Sequence, residues 1–385
     1  MCHLDDRWRV QVQAGWLTRQ KNYSLYRKEA HNNLSHRRRC QFHSLPRYQQ
    51  RLLSAPPIDY LQTLSQLDRA IEHNAEIAED IFKHSVDAFG VDTEALKAGA
   101  WLRAVSADDL DKVRSTLKQF YRDWSAEGAV DRDACYKPVM DELELRFGRL
   151  PAAEKGEVSV LVPGAGLGRL AFDIAVAGYT SQGNENSFHQ LMASNYVLNC
   201  TSSASQHTLH PFIGTFSNHR SRQSHLRGVS IPDVHPGTLL AGAADESRFS
   251  MRAGDFVAAY GDPATAGHFD VVATVFFVDT AVNIFSYVET IWHTLTDGGV
   301  WINCGPLLWH WENRQADLKA AGEVAQGLEL TLDEVLEVAR SIGFRVEKQE
   351  KCRKGEYIGS GEGSMLSWVY ECEFWVAIKV PRLEE

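Results

Sequence analysis

The sequence predicts an α/β fold: a mostly parallel, doubly wound sheet with an antiparallel edge, placed after a helical N-terminal region. Two observations carry this. From Val158 to Gly299 short apolar β-branched runs alternate with amphipathic helical stretches, the order that builds parallel sheets covered on both faces. Before Leu150 no such strand occurs, and the apolar residues recur at helical spacing instead.

Residues 1 to about 20 show no periodicity. Tyr23 to Leu53 is polar and basic and reads as helix anchored by Phe42, Leu45, Leu52 and Leu53, with Pro56-Pro57 as its break. Leu64, Leu67, Ile71, Ala75, Ala78 and Ile81/Phe82 then line one face of an amphipathic helix. A further helix opens at Ser106 with Asp109 as a capping signature, and buries Leu110, Val113, Leu117, Phe120/Tyr121 and Trp124. Gln119 and Arg122, three apart, share a polar face beside that apolar one. The chain thus divides into a helical region over 1–150 and a sheet domain over 151–385.

In the sheet domain a first strand (Val158, Val160, Val162) meets Gly164, Gly166 and Gly168. A helix follows on Leu167, Leu170, Ala171, Ile174 and Ala175, and a second strand, Tyr179 to Gly183, leads to Glu185. Helix Ser187 to Asn199 comes next, then a polar insertion of about 201–246, longer than an ordinary connection and read as a functional cover or a disordered loop. Phe249 to Phe256 is a short strand ending in Asp255. Phe269 to Val278 is a continuous apolar run, as in a strand buried on both faces, with Asp279 just beyond it. Helix Asn283 to Leu295, the Gly298-Gly299 turn and strand Val300 to Cys304 lead into GPLLWHWEN. Thr331 and Glu334 cap another helix closed by Gly343, and Phe344 to Glu350 and Met365 to Val380 finish the sheet without an intervening helix.

Composition bounds the function. The 385 residues carry 44% hydrophobic and 23% charged side chains, ordinary for a soluble protein, and a net charge of −10. That charge argues against a general affinity for nucleic-acid backbones. The basic run His36-Arg37-Arg38-Arg39 is therefore expected to be a solvated helix face. No apolar leader opens the chain, and the longest apolar run, Val271 to Val278, is too short to span a bilayer. The seven cysteines form no CxxC pair, which suits reduced thiols in the cytoplasm or nucleus and offers no zinc site.

The glycine turn is the chemical centre. Glycine admits positive φ and close approach by a ligand, and the amides opening the next helix point at that ligand. An acid at the end of the second strand is where nucleotide-binding units hold ribose hydroxyls. Gly164-Ala165-Gly166-Leu167-Gly168 is GxGxG, whereas the dinucleotide pattern GxGxxG would need glycine at Arg169. A nicotinamide dehydrogenase is thereby disfavoured. GxGxG with Glu185 and Asp255 resembles class I methyltransferases, whose cofactor is S-adenosylmethionine. Longer strings narrow this: LVPGAGLGRLAFDIA, GNENSF, AGDF, FFVDTA, GPLLWHWEN and YEC, with Gln119 to Ser125 and Asp131 to Tyr136 upstream, resemble the carnosine N-methyltransferase family. The resemblance runs from about Tyr23 to the C-terminus. It implies a Rossmann-like methyltransferase sheet, transfer of a methyl group to an imidazole nitrogen of carnosine to give anserine, and a small imidazole dipeptide as partner, with a homodimer as the implied assembly.

The resemblance also implies roles. Gln119 and Arg122 contact the cofactor from the helical region, Gly164 and Gly166 approach it by backbone, Glu185 holds the ribose, and Asp255 with Phe256 holds the adenine. Thr274, on the fourth strand, is expected to border the same crevice. Asp279, His310, Tyr370 and Trp368 face the substrate, with Asp279 and His310 as the catalytic pair and no metal. Two positions depart from the pattern. Val162 stands where many class I enzymes carry an acid, so the Arg122 guanidinium becomes the expected grip on the methionine carboxylate. Trp368 stands where the family often has tyrosine, which keeps the ring and loses the hydroxyl. Each residue also has a plainer reading: Asp279 as a helix cap, His310 packed between Trp309 and Trp311, Tyr370 as strand core, and Arg122 in a helix-surface ion pair. Two further functions stay open on the sequence: methylation of a histidine in a protein, docked on the 201–246 insertion, and a catalytically silent cofactor-binding module.

Overall fold

Residues 22–88, 107–242, 248–314, 327–352, 355–356 and 363–380 are described by the computed structural model of the chain. Seven strands make the main sheet: β1 Ser159–Pro163, β2 Thr180–Glu185, β3 Phe249–Ala253, β4 Phe269–Val275, β5 Leu295–Gly305, β6 Phe344–Lys351 and β7 Glu373–Lys379. Their spatial order is β3-β2-β1-β4-β5-β7-β6. The first five are parallel, and β7 lies antiparallel between β5 and β6. Strand order reverses between β1 and β4, which opens a crevice at the carboxyl ends of those strands.

The central strands are apolar on both faces because both are covered. Val271, Val272 and Ala273 of β4 have no solvent exposure. Seven helices are used below: α1 Tyr60–Ala88, α2 Ala107–Trp124, α3 Ala129–Phe147, α4 Arg169–Val176, α5 Phe188–Asn199, α6 Ile284–Thr294 and α7 Leu332–Ile342. On one face α6 and α7 bury Ile284, Val288, Ile291 and Leu336 against Leu161, Trp301 and Trp375. On the other, one continuous core joins Leu67 and Ile71 of α1, Leu117 and Trp124 of α2, Phe172 of α4, Met192 and Val197 of α5, and the sheet. The helical region therefore shares its core with the sheet domain. Trp124 makes the tie: its indole N–H donates to the Leu167 carbonyl at 3.2 Å and its ring meets Phe172 at 5.4 Å. Truncating so large a buried side chain costs about 3–5 kcal/mol.

Several element ends differ from expectation, each for a local reason. The fourth strand stops at Val275, not Val278, because Phe276 turns into positive φ (51°). The third stops at Ala253, after which Gly254 takes φ 141°. The fifth begins at Leu295 and carries the Gly298-Gly299 pair inside it. Met365 to Val380 is not one strand: Val369–Tyr370 pairs with Gly355–Glu356, and β7 starts at Glu373. The capping box of Thr331 and Glu334 is formed as expected. The first helix runs over 22–44 with a π-helical stretch, His31–His36, and a separate helix, Arg47–Ser54, follows Pro46. Residues 1–21 and the side chains of the Ser106/Asp109 capping pair lie outside the described residues.

Over its described residues, 201–242, the insertion is built into the core, and none of them lines the crevice at the carboxyl ends of the strands. His207–Leu209 pairs with Val229–Ile231, and Leu209, Phe212, Ile213, Val229 and Ile231 are buried in the shared core. Asp233 fixes it electrostatically. Its carboxylate takes Arg132 Nη2 at 2.9 Å and Arg169 Nη1 at 2.7 Å, and its amide donates to the Trp124 carbonyl at 2.9 Å. The basic run is likewise less solvated than expected. Arg38 lies 3.7 Å over the Phe216 ring of the insertion, and Arg39 pairs with Asp68 of α1.

Candidate active site

The crevice is a cavity of about 640 Å³ between the carboxyl ends of β1, β2 and β4, roofed by α2 and α3. That is ample for a nucleoside-sized ligand. Its floor begins at Gly164 and Gly166, and these two and Gly168 behind them all have positive φ (66°, 60° and 80°). At Gly164 a side chain would be doubly excluded, because a Cβ would sit 2.6 Å from the Phe277 ring. A ligand thus meets bare backbone where β1 ends.

Glu185 closes the end of β2 with a carboxylate that is only 7% exposed. Its Oε2 accepts the Gly166 N–H at 2.9 Å. Its Oε1 accepts those of Asn186 at 2.9 Å and Ser187 at 2.7 Å. Burial pushes the acid above its ordinary range, against the pull of these three amides. With the Gln190 amide turned to satisfy its neighbours, its nitrogen also donates to Glu185 and its oxygen accepts from Gln119 at 2.9 Å. One polar chain therefore links the acid of the sheet to α2.

Arg122, two residues before the Trp124 tie, lines the same cavity. Its Nε and Nη2 fork onto Asp123 at 2.6 and 2.9 Å, and Tyr136 donates to that carboxylate at 3.2 Å. The plainer reading of Arg122 as an ion-pair partner is thus true, but the pair is buried and beside the cradle. A Cβ on Gly166 would lie 4.0 Å from the Arg122 guanidinium. Asp255 and Phe256 line the cavity on the far side. Asp255 caps the short helix Phe256–Tyr260 through the Ala258 N–H at 3.0 Å. Phe256 packs edge-on against Phe277 and Tyr287, at 5.3 and 5.5 Å, a flat apolar wall suited to a purine ring.

Beyond β4 the chain makes a 3₁₀ turn, Val278–Thr280, that buries Asp279 to 2% exposure. Its Oδ2 accepts the Leu308 N–H at 2.9 Å, and its carbonyl accepts the His310 N–H at 3.1 Å. The other oxygen, Oδ1, is buried and has no hydrogen-bond partner. Burial raises the acid, while the Leu308 amide and the nearby His310 oppose the rise. A buried acceptor left open is rare in a native protein and marks a place where a donor belongs. Asp279 does not cap the next helix; Asn283 does, through the Phe285 N–H.

Gln119, Arg122, Gly164, Gly166, Glu185, Asp255, Phe256 and His310 all line one cavity, and one backbone bond, His310 N–H to the Asp279 carbonyl, ties Asp279 to that lining. Tyr370 is set one layer back, its ring edge-to-face with cavity-lining Phe276 at 5.7 Å. Two expected residues are not brought to the site. Thr274 has no exposure and is spent inside the sheet, donating to Asn303 Oδ1 and accepting from the Trp301 indole, both at 2.8 Å. Its position one residue short of the strand end turns it into the core, and Val275 and Phe276 line the crevice instead. Trp368 is 70% exposed, on the stretch before the Val369–Tyr370 bridge. Sequence reasoning missed Tyr287 and Gln190. Tyr287 stacks on Phe277 at 4.8 Å, and its signal was only a polar-tipped aromatic on the cavity end of α6. Asp131, Cys135 and Tyr136 also line the cavity, and they lie in the upstream string that carried the family resemblance.

These groups fit S-adenosylmethionine: a side-chain-free cradle, a buried acid for ribose, an aromatic wall for adenine, and a guanidinium for the amino-acid end. Comparison with known proteins agrees. Residues 100–381 match the family model described as carnosine N-methyltransferase. A Rattus norvegicus protein named carnosine N-methyltransferase is 39% identical over 93% of this chain and 84% of its own. One of the same name from Schizosaccharomyces pombe is 39% identical over 92% of each. A Drosophila melanogaster relative, carnosine N-methyltransferase unmet, is 35% identical over 71% of this chain and 56% of its own. With these matches over most of its length, the chain belongs to the carnosine N-methyltransferase family.

Proposed function

We propose that the protein transfers a methyl group from S-adenosylmethionine to an imidazole nitrogen of carnosine, giving anserine. The observation that carries this reading is the open, buried Oδ1 of Asp279 in the turn after β4, whose carbonyl is hydrogen-bonded to the amide of cavity-lining His310. Bound S-adenosylmethionine supplies an electrophilic methyl group on a positive sulfonium.

The protein's task is to present a neutral imidazole in one tautomer. Asp279 Oδ1 accepts the N–H of the ring nitrogen that keeps its proton, which leaves the other nitrogen with its lone pair toward the cradle. Oδ2 does not swing, because the Leu308 amide holds it. As the ring becomes imidazolium, the same carboxylate stabilises the charge in a site shielded from water. His310, on the cavity surface, orients the ring from the other side. Holding two reactants in such a geometry supplies about 7–11 kcal/mol of the barrier reduction.

The test is a screen with methyl-labelled cofactor against carnosine, homocarnosine, free histidine and a histidine-containing peptide. Label entering carnosine ahead of free histidine is expected. Label confined to the peptide or to macromolecules would contradict the dipeptide reading, and no label with cofactor demonstrably bound would contradict the activity itself.

A further inference from the structure

Four of the seven cysteines, distant in sequence, meet beneath the cavity. Cys304 ends β5, Cys352 follows β6, Cys372 precedes β7, and Cys135 comes from α3 and lines the cavity. The Cys304 and Cys352 sulfurs are 2.9 Å apart. Cys135 interacts with both Cys304 and Cys372, and the Cys352 amide donates to the Cys372 carbonyl at 2.8 Å. All four are free thiols. Their arrangement is not one that holds a metal ion: among the described residues no three of His, Cys, Asp and Glu are so grouped. The chemistry available to them is that of sulfur with sulfur.

We propose that Cys304 and Cys352 are a peroxide-sensitive thiol pair whose oxidation to a disulfide switches the active site off. The chemical roles follow from position. Cys352 is half-buried at the sheet edge, and the hydrogen bond from Cys304 favours its thiolate; Cys304 is fully buried. The Cys352 thiolate attacks one peroxide oxygen, the O–O bond breaks, and hydroxide leaves, giving a sulfenic acid. The Cys304 thiol then attacks that sulfur. An S–S bond forms, the S–OH bond breaks, and the departing hydroxide takes the Cys304 proton as water. Overall two thiols and one hydrogen peroxide give one disulfide and two waters.

Bond formation has a direct route to the site. It brings the sulfurs from 2.9 Å to about 2.05 Å and replaces the hydrogen bond between them with a covalent bond. The Cys304 carbonyl also accepts the Phe276 N–H at 3.0 Å. Phe276 is a bulky residue held at φ 51°, a conformation that persists only when its surroundings enforce it. Phe276 lines the cavity and carries Tyr370 on its edge. A shift at Cys304 therefore reaches a wall of the cavity, Phe276, and the Tyr370 ring packed behind it. This consequence rests on the proposed methyl transfer; the disulfide itself does not.

The test treats the full-length protein with stoichiometric hydrogen peroxide, blocks remaining thiols, and maps cross-linked peptides by mass spectrometry. Methyl transfer and cofactor affinity are then measured before and after dithiothreitol. A Cys304–Cys352 cross-link with at least a tenfold loss of turnover, restored by reduction, is expected. Cys352→Ser should keep basal turnover and lose the peroxide response. A cross-link absent, or formed between other cysteines, overturns the pairing. A cross-link with unchanged turnover, or a response that survives in Cys352→Ser, overturns the switch. If no imidazole substrate is turned over at all, the peptide map still decides the pairing, so the two proposals fail separately.

Discussion

Asp279 spends its burial on a single unfilled acceptor. Its carboxyl is held above its ordinary value of 3.8 by desolvation, so the native state binds its proton more tightly than the unfolded chain does. That contribution to stability is present below about pH 3.8 and is lost as pH rises through the raised native value. Wherever the acid is charged in the folded protein it therefore costs stability. Asp279→Asn keeps the acceptor for the Leu308 amide and removes the charge. The variant is expected to unfold at or above the parent's temperature at pH 7, with the difference shrinking toward pH 4, as thermal scans at the two pH values would show. A variant less stable at pH 7 by the same amount at both values would mean that the acid is structural. At this scale the sequence was a good guide to chemistry and a poor one to direction. Asp279, Glu185 and Arg122 were legible because charge at a strand or helix end has few uses. Thr274 and Trp368 were not, because one residue of register decides between crevice and core, and an edge aromatic is as free to face water as a pocket.

The elements set the cradle by where they stop. β1 ends into three positive-φ glycines, and β4 ends one residue before Phe276 turns. Strand interiors were readable from their apolar runs, while these ends were not, since they depend on contacts between distant residues such as the Phe277 ring over Gly164. Gly164→Ala places a methyl 2.6 Å from that ring and asks alanine to hold φ 66°. Displacing Phe277 disturbs its stack on Tyr287 and with it the purine wall. We expect cofactor affinity to fall at least tenfold by calorimetry. Unchanged affinity would show that the cofactor does not approach this turn.

Across the whole molecule, the helical region and the insertion are parts of the site's scaffold. α2 delivers Gln119 and Arg122 because Trp124 is locked to the glycine turn, and Asp233 bonds Arg132 of α3 and Arg169 of α4 from the insertion. All three side chains are at most 9% exposed. Removing one partner strands buried charge, so Asp233→Ala should cost about 3–5 kcal/mol, read as a lower denaturant midpoint. A change under 1 kcal/mol would mean the insertion is held by its apolar contacts alone. The polar composition of 201–246 hid this, because the few residues that enter the core, Leu209, Phe212, Ile213, Val229 and Ile231, lie far apart in the run. The proposed function rests on a division of labour in which the cradle binds the cofactor and Asp279 directs the methyl group. Turnover of carnosine with labelled cofactor, measured together with cofactor affinity for the parent and Asp279→Ala, tests that division directly. A loss of turnover of about 10²–10⁴-fold is expected, the range for a positioned proton-holding group, with affinity within about twofold. Equal losses in both, or turnover unchanged, would contradict it.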